Sequence, residues 1–240
     1  MTVTLEVEPL SLTLRTPFTI SYGTSTVREN LLLRLRAEDH IAWGEAAIVP
    51  YYHETPERVA AYLTDPSVRD AIDRDPLHLD DALQALPTPP SSFARAAIDI
   101  ALHDRWASAL GQPLYRLWGL NPERAPATSF TIAIDEDNAA YRERVRAAGG
   151  RFRLLKLKLG GSSGWESDWQ RVQLARDATD AAICVDANAG WNRADALAII
   201  PRLGELGAVF VEQPLPRDDL EGWAELRRAL PGGCPPLFVD

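Results

Sequence analysis

The sequence predicts an α/β protein in two regions, and three observations carry that reading. Residues before about 125 read as an antiparallel meander followed by helices. Beyond that point strands alternate with helices, which implies a parallel sheet. Charged groups also recur at the ends of the later strands with separations of 28, 26 and 28 residues (158 to 186, 186 to 212, 212 to 240), about one strand–helix unit each.

The elements follow in chain order. Residues 3–14 alternate through Val3, Leu5, Val7, Leu10, Leu12 and Leu14, the period of a strand. The polar stretch Ser21-Tyr22-Gly23-Thr24-Ser25-Thr26 interrupts it, and Leu31, Leu33, Leu35 and then Ile41-Ala42-Trp43 suggest two more strands. Thr55-Pro56-Glu57 opens a helix, with a cap and a proline in the first turn. Near 92–110 Ala94, Ala97, Ile98, Ala101, Leu102 and Ala109 hold helical spacing, Ser91 or Ser92 can cap, and Gly111 and Pro113 stop the helix. Asn121-Pro122 to Ala125-Pro126 marks the boundary, giving domains 1–125 and 126–240. Strands are expected at 128–133, 154–159, 183–187, 208–212 and 236–240. Between them, a helix from Trp165 groups Trp165, Trp169, Val172 and Ala175 on one face, another spans 218–230, and a third, 194–206, should be kinked or cut short by Pro201. The sheet could close as a barrel or be doubly wound. No G-x-G-x-x-G follows a strand, which weakens the dinucleotide-binding version.

Composition narrows the function classes. Of 240 residues 46% are hydrophobic and 25% charged, as in ordinary globular protein. No run of 18 apolar residues suggests a membrane span, and the first residues lack the pattern of a signal peptide. Two cysteines, Cys184 and Cys234, make no disulfide framework, so a cytoplasmic location is expected. A net charge of −9 without a basic run argues against nucleic acid or an anionic membrane as partner. A homo-oligomer is left open, since no surface is marked for it.

The chemistry lies in the periodic groups: Lys156-Leu157-Lys158, Asp186, Glu212 and Asp240. Their period brings each to the C-terminal end of the next strand, where β/α barrels hold their sites. Strand alternation puts Lys156, Lys158, Asp186, Glu212 and Asp240 on the inner side, with Leu155, Leu157, Leu159, Ile183, Val185, Val209, Val211, Leu237 and Val239 outside. Three inward carboxylates on neighbouring strands repel unless a hard divalent cation joins them, and all-oxygen ligation favours Mg²⁺ or Mn²⁺ over zinc. Positive charge from the metal and from each other would lower the pKa of a lysine and let it act as a base. Each group alone reads equally as an ion-pair partner or a helix cap. The shared period and parity are what favour a site. Cys184 has inward parity one layer lower and reads as core.

With Lys156-Leu157-Lys158 stand Asp186-Ala187-Asn188-Ala189-Gly190-Trp191, Glu212-Gln213-Pro214, Val239-Asp240, the helix Ala94 to Asp104, Gly111-Gln112-Pro113-Leu114 and Trp43-Gly44-Glu45. This set resembles the enolase superfamily, in its muconate-lactonizing-type subgroup, over essentially the whole chain. The resemblance implies an α/β fold with an N-terminal α+β capping domain and a modified TIM-type β/α barrel, incomplete in this chain. It implies Mg²⁺ held by Asp186, Glu212 and Asp240, binding a substrate carboxylate and stabilising an enediolate as the α-proton leaves. Lys158 would be one acid/base, with Lys156 stabilising charge beside it and touching substrate. Thr128-Ser129-Phe130-Thr131-Ile132 resembles the dipeptide epimerases, which makes Thr131 an expected substrate contact. The loop after Pro17-Phe18 would cover the site, with Tyr22 in it. Epimerases of Ala-Glu carry an arginine there. The stretch Thr19-Ile20-Ser21-Tyr22-Gly23 has no cation, so L,L-dipeptides with neutral or hydrophobic side chains are expected.

Members of the family continue well past the third metal ligand. The second acid/base lysine and the last strands are therefore expected outside these 240 residues, and this chain alone is not expected to perform two-base epimerisation. N-succinylamino acid racemase, o-succinylbenzoate synthase and muconate cycloisomerase share the same metal and lysines and remain alternatives. A non-catalytic binding fragment is the alternative of another class.

Overall fold

Three antiparallel strands open the chain: β1 (Val3–Ile20), β2 (Gly23–Ala37) and β3 (His40–Ala46), in the order β1-β2-β3. The computed structural model describes residues 3–37, 40–49 and 52–239. Leu31, Leu33 and Leu35 alternate with polar neighbours and are buried, as a half-buried strand requires. Helices α1 (Pro56–Leu63), α2 (Pro66–Ile72), α3 (Leu79–Ala85), α4 (Ser92–Leu110) and α5 (Leu114–Leu117) follow. Thr55 and Ser91 cap α1 and α4 with their hydroxyls, and α4 ends in a left-handed Gly111 at φ 60°. Buried Ala94, Ala97, Ile98 and Ala101 give α4 a small-residue face against β3. A Cβ on Gly44 would lie 2.0 Å from the Ala97 carbonyl oxygen, so only glycine allows this approach.

The chain forms two units. One contains the chain up to Leu14 and Val27–Ala125, and the other contains Arg15–Thr26 and the chain from Pro126 onward. The tip of the β1–β2 hairpin therefore belongs with the second unit, where Ile134 N–H donates to Thr19 O at 3.0 Å.

In the second unit strands and helices alternate: β4 (Ser129–Ile132), α6 (Asn138–Gly149), β5 (Leu154–Lys158), α7 (Trp165–Ala178), β6 (Ala182–Asp186), α8 (Arg193–Glu205), β7 (Val211–Glu212), α9 (Leu220–Ala229) and β8 (Leu237–Phe238). All five strands pair in parallel, in sequential order. Sequential order is that of a β/α barrel; a doubly wound sheet reverses at a switch point. The outward residues Leu155, Leu157, Leu159, Ile183, Val185 and Val211 are fully buried with Val172, Ala175, Ile199 and Leu203 of the helices.

Two expectations are corrected. Of the kink or early stop expected at Pro201, the early stop does not occur, since α8 runs Arg193–Glu205 through it. Ala196, Ile199, Ile200 and Leu203 are fully buried around it, and this packing outweighs one missing hydrogen bond. Val209 and Val239, expected against the helix layer, are 46% and 63% exposed. Val209 precedes the two-residue β7, and Val239 follows the two-residue β8, which among the described residues pairs with β7.

Candidate active site at the strand ends

Register places the charged groups on shared rungs. Lys158 pairs with Asp186 and Asp186 with Glu212. One residue pair earlier, Thr131 pairs with Lys156 and Lys156 with Cys184. The upper rung thus carries Lys158, Asp186 and Glu212, and the lower one Thr131, Lys156 and Cys184.

The side chains converge as parity requires. Lys158 Nζ lies 2.6 Å from Asp186 Oδ2. From the lower rung, Lys156 Nζ reaches the same oxygen at 3.0 Å and Glu212 Oε1 at 2.7 Å. Asp186 is buried, and its other oxygen accepts the Asn188 N–H at 2.9 Å.

The electrostatics follow from this packing. Burial alone would raise the Asp186 pKa, but the hydrogen bond and charge of Lys158, the Asn188 amide and the charge of Lys156 hold it below its ordinary range. Burial alone would lower the Lys156 pKa, but hydrogen bonds and charges of Glu212 and Asp186 raise it. This sign is opposite to the expected lowering of a lysine pKa. The expected lowering depends on a neighbouring divalent charge, whereas Lys156 pairs with two carboxylates, Asp186 and Glu212. Cys184 is fully buried and its thiol is pushed up to about 11, chiefly by burial, which suits core rather than a nucleophile.

The donor set fits a hard cation. Two carboxylates on adjacent strands bracket one point, where the Lys156 ammonium already sits, and both offer oxygen alone. Among the described residues no three His, Cys, Asp or Glu side chains gather closely enough to hold a metal. Asp240, the third expected ligand, lies outside the described residues.

Thr131 stands beside Lys156 on the lower rung. Tyr22 lies in the β1–β2 turn and is 52% exposed. Next to it, Ser21 Oγ donates to the Asn188 carbonyl at 2.8 Å, joining the hairpin tip to the loop after Asp186.

Sequence reasoning missed how tightly that loop is built. Asn188, Ala189 and Gln213 have φ of 46°, 59° and 41°, a left-handed region that non-glycine residues rarely occupy. Asn188 and Ala189 lie two and three residues after Asp186, and Gln213 directly follows Glu212. Ala189 N–H donates to Gln213 O at 2.7 Å and Trp191 N–H to Pro214 O at 3.3 Å, so the two loops brace each other. Sequence reasoning also passed over Asp168, a fully buried carboxylate on α7. One available signal went unread: of the 25 Lys and Arg residues only Lys156 and Lys158 are lysines. Arginine remains charged in proteins, whereas lysine can lose its proton.

Comparison with known proteins agrees with this geometry. Residues 2–119 match the family described as mandelate racemase / muconate lactonizing enzyme, N-terminal domain, and residues 136–234 match the enolase C-terminal domain-like family. The chain is 37% identical over 235 residues to an L-Ala-D/L-Glu epimerase of Bacteroides thetaiotaomicron, covering 97% of this chain and 59% of that protein. It is 34% identical over 245 residues to an N-succinylamino acid racemase of Thermus thermophilus, covering 98% and 63%. Among solved structures, a dipeptide epimerase from Enterococcus faecalis V583, complexed with Mg and the dipeptide L-Leu-L-Tyr, superposes with a TM-score of 0.81 at 26% identity, covering 100% of this chain and 68% of that one. The chain thus spans about three fifths of the length of the curated relatives it matches. Among the described residues no helix is long and apolar enough to cross a membrane.

Proposed function

The chain belongs to the mandelate racemase / muconate lactonizing enzyme family of the enolase superfamily, and on that premise we propose that it forms the metal-binding and first acid/base part of a Mg²⁺-dependent epimerase acting on dipeptides. One observation carries the reading: two lysines of one strand meet two carboxylates of the next two strands at the C-terminal end of a parallel sheet.

Asp186 and Glu212 would hold the cation, with Asp240 as the expected third ligand. Bound there, Mg²⁺ supplies positive charge for a substrate carboxylate and for the charge that develops as the α-proton leaves. Lys158 holds or takes that proton at Nζ, because it faces Asp186 on the upper rung. Lys156, one rung lower, keeps its proton, donates to the carboxylates and balances the charge beside them. Thr131, its rung neighbour, offers a hydroxyl to the substrate from β4. The hairpin tip carrying Ser21 and Tyr22, tied to Asn188, would cover the substrate side chain. Both lysines stand on β5, so two-base epimerisation would need a second acid/base on the opposite face of the substrate.

The substrate class we favour is L,L-dipeptides with neutral or hydrophobic side chains, because Thr19 to Gly23 offers no cation for an acidic one. The 37% identity to an L-Ala-D/L-Glu epimerase supports an acidic second residue as the second reading. The test is a panel of L,L-dipeptides and N-succinylamino acids incubated with the complete encoded protein and Mg²⁺ in D₂O, with α-deuterium read by NMR. Exchange of hydrophobic dipeptides supports the first reading, and exchange confined to Ala-Glu supports the second. Exchange confined to succinylated amino acids overturns both and leaves the racemase alternative.

A further inference from the structure

The carboxylate of Asp168 lies outside the set of residues given a chemical role above, yet it is fully buried on α7 and sits behind the loops that carry that set. Its Oδ2 accepts the Gly160 N–H at 2.8 Å and the Trp191 indole N–H at 2.8 Å, and its Oδ1 accepts from Arg171 Nη1 at 3.2 Å. Gly160 lies two residues beyond Lys158, and Trp191 closes the loop that begins at Asp186. One oxygen atom therefore binds the loop after β5 and the loop after β6 together.

The two loops also touch back to back. A Cβ on Gly160, at φ +80°, would lie 2.2 Å from the Ala187 carbonyl oxygen, and one on Gly190 would lie 2.2 Å from the Gly160 carbonyl oxygen. Leu159 N–H donates to Asp186 O at 2.9 Å, which continues the strand pairing into this contact. Arg171, itself buried, passes the link to a third loop by donating to Glu136 Oε1 at 2.9 Å, after β4. Two neutral donors and the Arg171 guanidinium offset only part of the cost of burying this carboxylate, whose pKa burial still raises, and removing any member leaves the others unpaired.

We propose that Asp168 is a positioning residue: its carboxylate fixes the loops after β5 and β6 against each other and so sets the placement of Lys158 relative to Asp186. This inference rests on the reading of Lys158 as acid/base and Asp186 as metal ligand. A role confined to stability would be shared by any buried residue of α7. Val172, also fully buried on that helix, supplies the comparison, because it belongs to the apolar core and has no polar atom to offer the loops.

The test uses the complete encoded protein labelled with ¹³C,¹⁵N-lysine. Signals from Lys156 and Lys158 are followed by NMR, with K158A assigning Lys158, and Mn²⁺ affinity is measured by water-proton relaxation. Asp168→Asn keeps the size of the side chain but removes its charge; V172A lowers stability without touching the loops. We expect D168N to move the Lys158 side-chain signals toward their unfolded positions and to weaken Mn²⁺ binding on the order of tenfold or more, as loss of an outer-shell partner does. V172A should lower the melting temperature while leaving both readouts in place. The inference is overturned if D168N leaves the Lys158 signals unmoved, or if V172A moves them equally. Should the wild type bind no Mn²⁺, the metal reading fails by itself, and the lysine signals still decide the role of Asp168.

Discussion

Lys158 and Asp186 are cross-strand partners on β5 and β6, and the Lys158 ammonium donates to Asp186 Oδ2 across 2.6 Å. Lys156 approaches the same oxygen at 3.0 Å, so one buried carboxylate carries two ammonium groups. A cation held by Asp186 and Glu212 must compete with both.

Added Mg²⁺ or Mn²⁺ should therefore stabilise the fold and rearrange the lysines together. A free concentration of 100 times Kd corresponds to about 2.7 kcal/mol of added stability. Calorimetry with increasing Mn²⁺ should show the rise in melting temperature, and D186N should abolish it. An equal rise in D186N would place the cation elsewhere.

Stability should fall at both ends of the pH scale because of this cluster. Asp186 has a folded pKa below its ordinary 3.8, so its contribution is present above the unfolded value and lost as pH falls through the folded one. Lys156 has a folded pKa above its ordinary 10.5, so its contribution is present below the unfolded value and lost as pH rises through the folded one. Urea midpoints measured across pH should show an acid arm that D186N flattens and an alkaline arm that K156M flattens. Arms unchanged by these substitutions would contradict the assignment.

Removing Lys156 leaves Asp186 and Glu212 on adjacent strands without the ammonium that bridges them. K156M should cost about 1–3 kcal/mol without divalent cation, the penalty for a buried partner left unsatisfied. Excess Mg²⁺ should return most of the loss, because the cation replaces the missing charge. Denaturant melts with and without Mg²⁺ measure both quantities.

Gly44 offers a test far from charge. A Cβ there would stand 2.0 Å from the Ala97 carbonyl oxygen, which is backbone and cannot rotate away. G44A should therefore destabilise the first unit by about 1–3 kcal/mol, as overpacking does. A Gly111→Ala variant meets no atom within 4 Å, and its cost should be limited to the strain of φ +60°.

Much of the site is legible in the sequence because two periods coincide. The strand period of two sets which residues face inward, and the strand–helix unit of about 27 residues sets which strand ends they reach. Lys156, Lys158, Asp186 and Glu212 need no more than that to be brought together. Helix α4 is legible for a similar reason, since Ser91 and Gly111 end it with local chemistry. Features that depend on tertiary packing are not legible. Pro201 reads as a breaker because the buried face that carries α8 through it is formed by distant strands. Asp168 reads as an ordinary acidic residue in the first turn of a helix, and only the fold brings Gly160 and Trp191 to it. The raised pKa of Lys156 depends on distances to two other strands, which spacing along the chain does not give.

The central claim is that Lys158 moves the α-proton of a substrate held beside Asp186 and Glu212. The most direct measurement is α-deuterium incorporation from D₂O into a turned-over dipeptide, comparing the complete wild-type protein with K158A at saturating Mg²⁺. The account predicts exchange in the wild type, loss on chelation, and a fall of at least about a hundredfold in K158A with Mn²⁺ affinity and melting temperature largely kept. Exchange at the wild-type rate in K158A would contradict it.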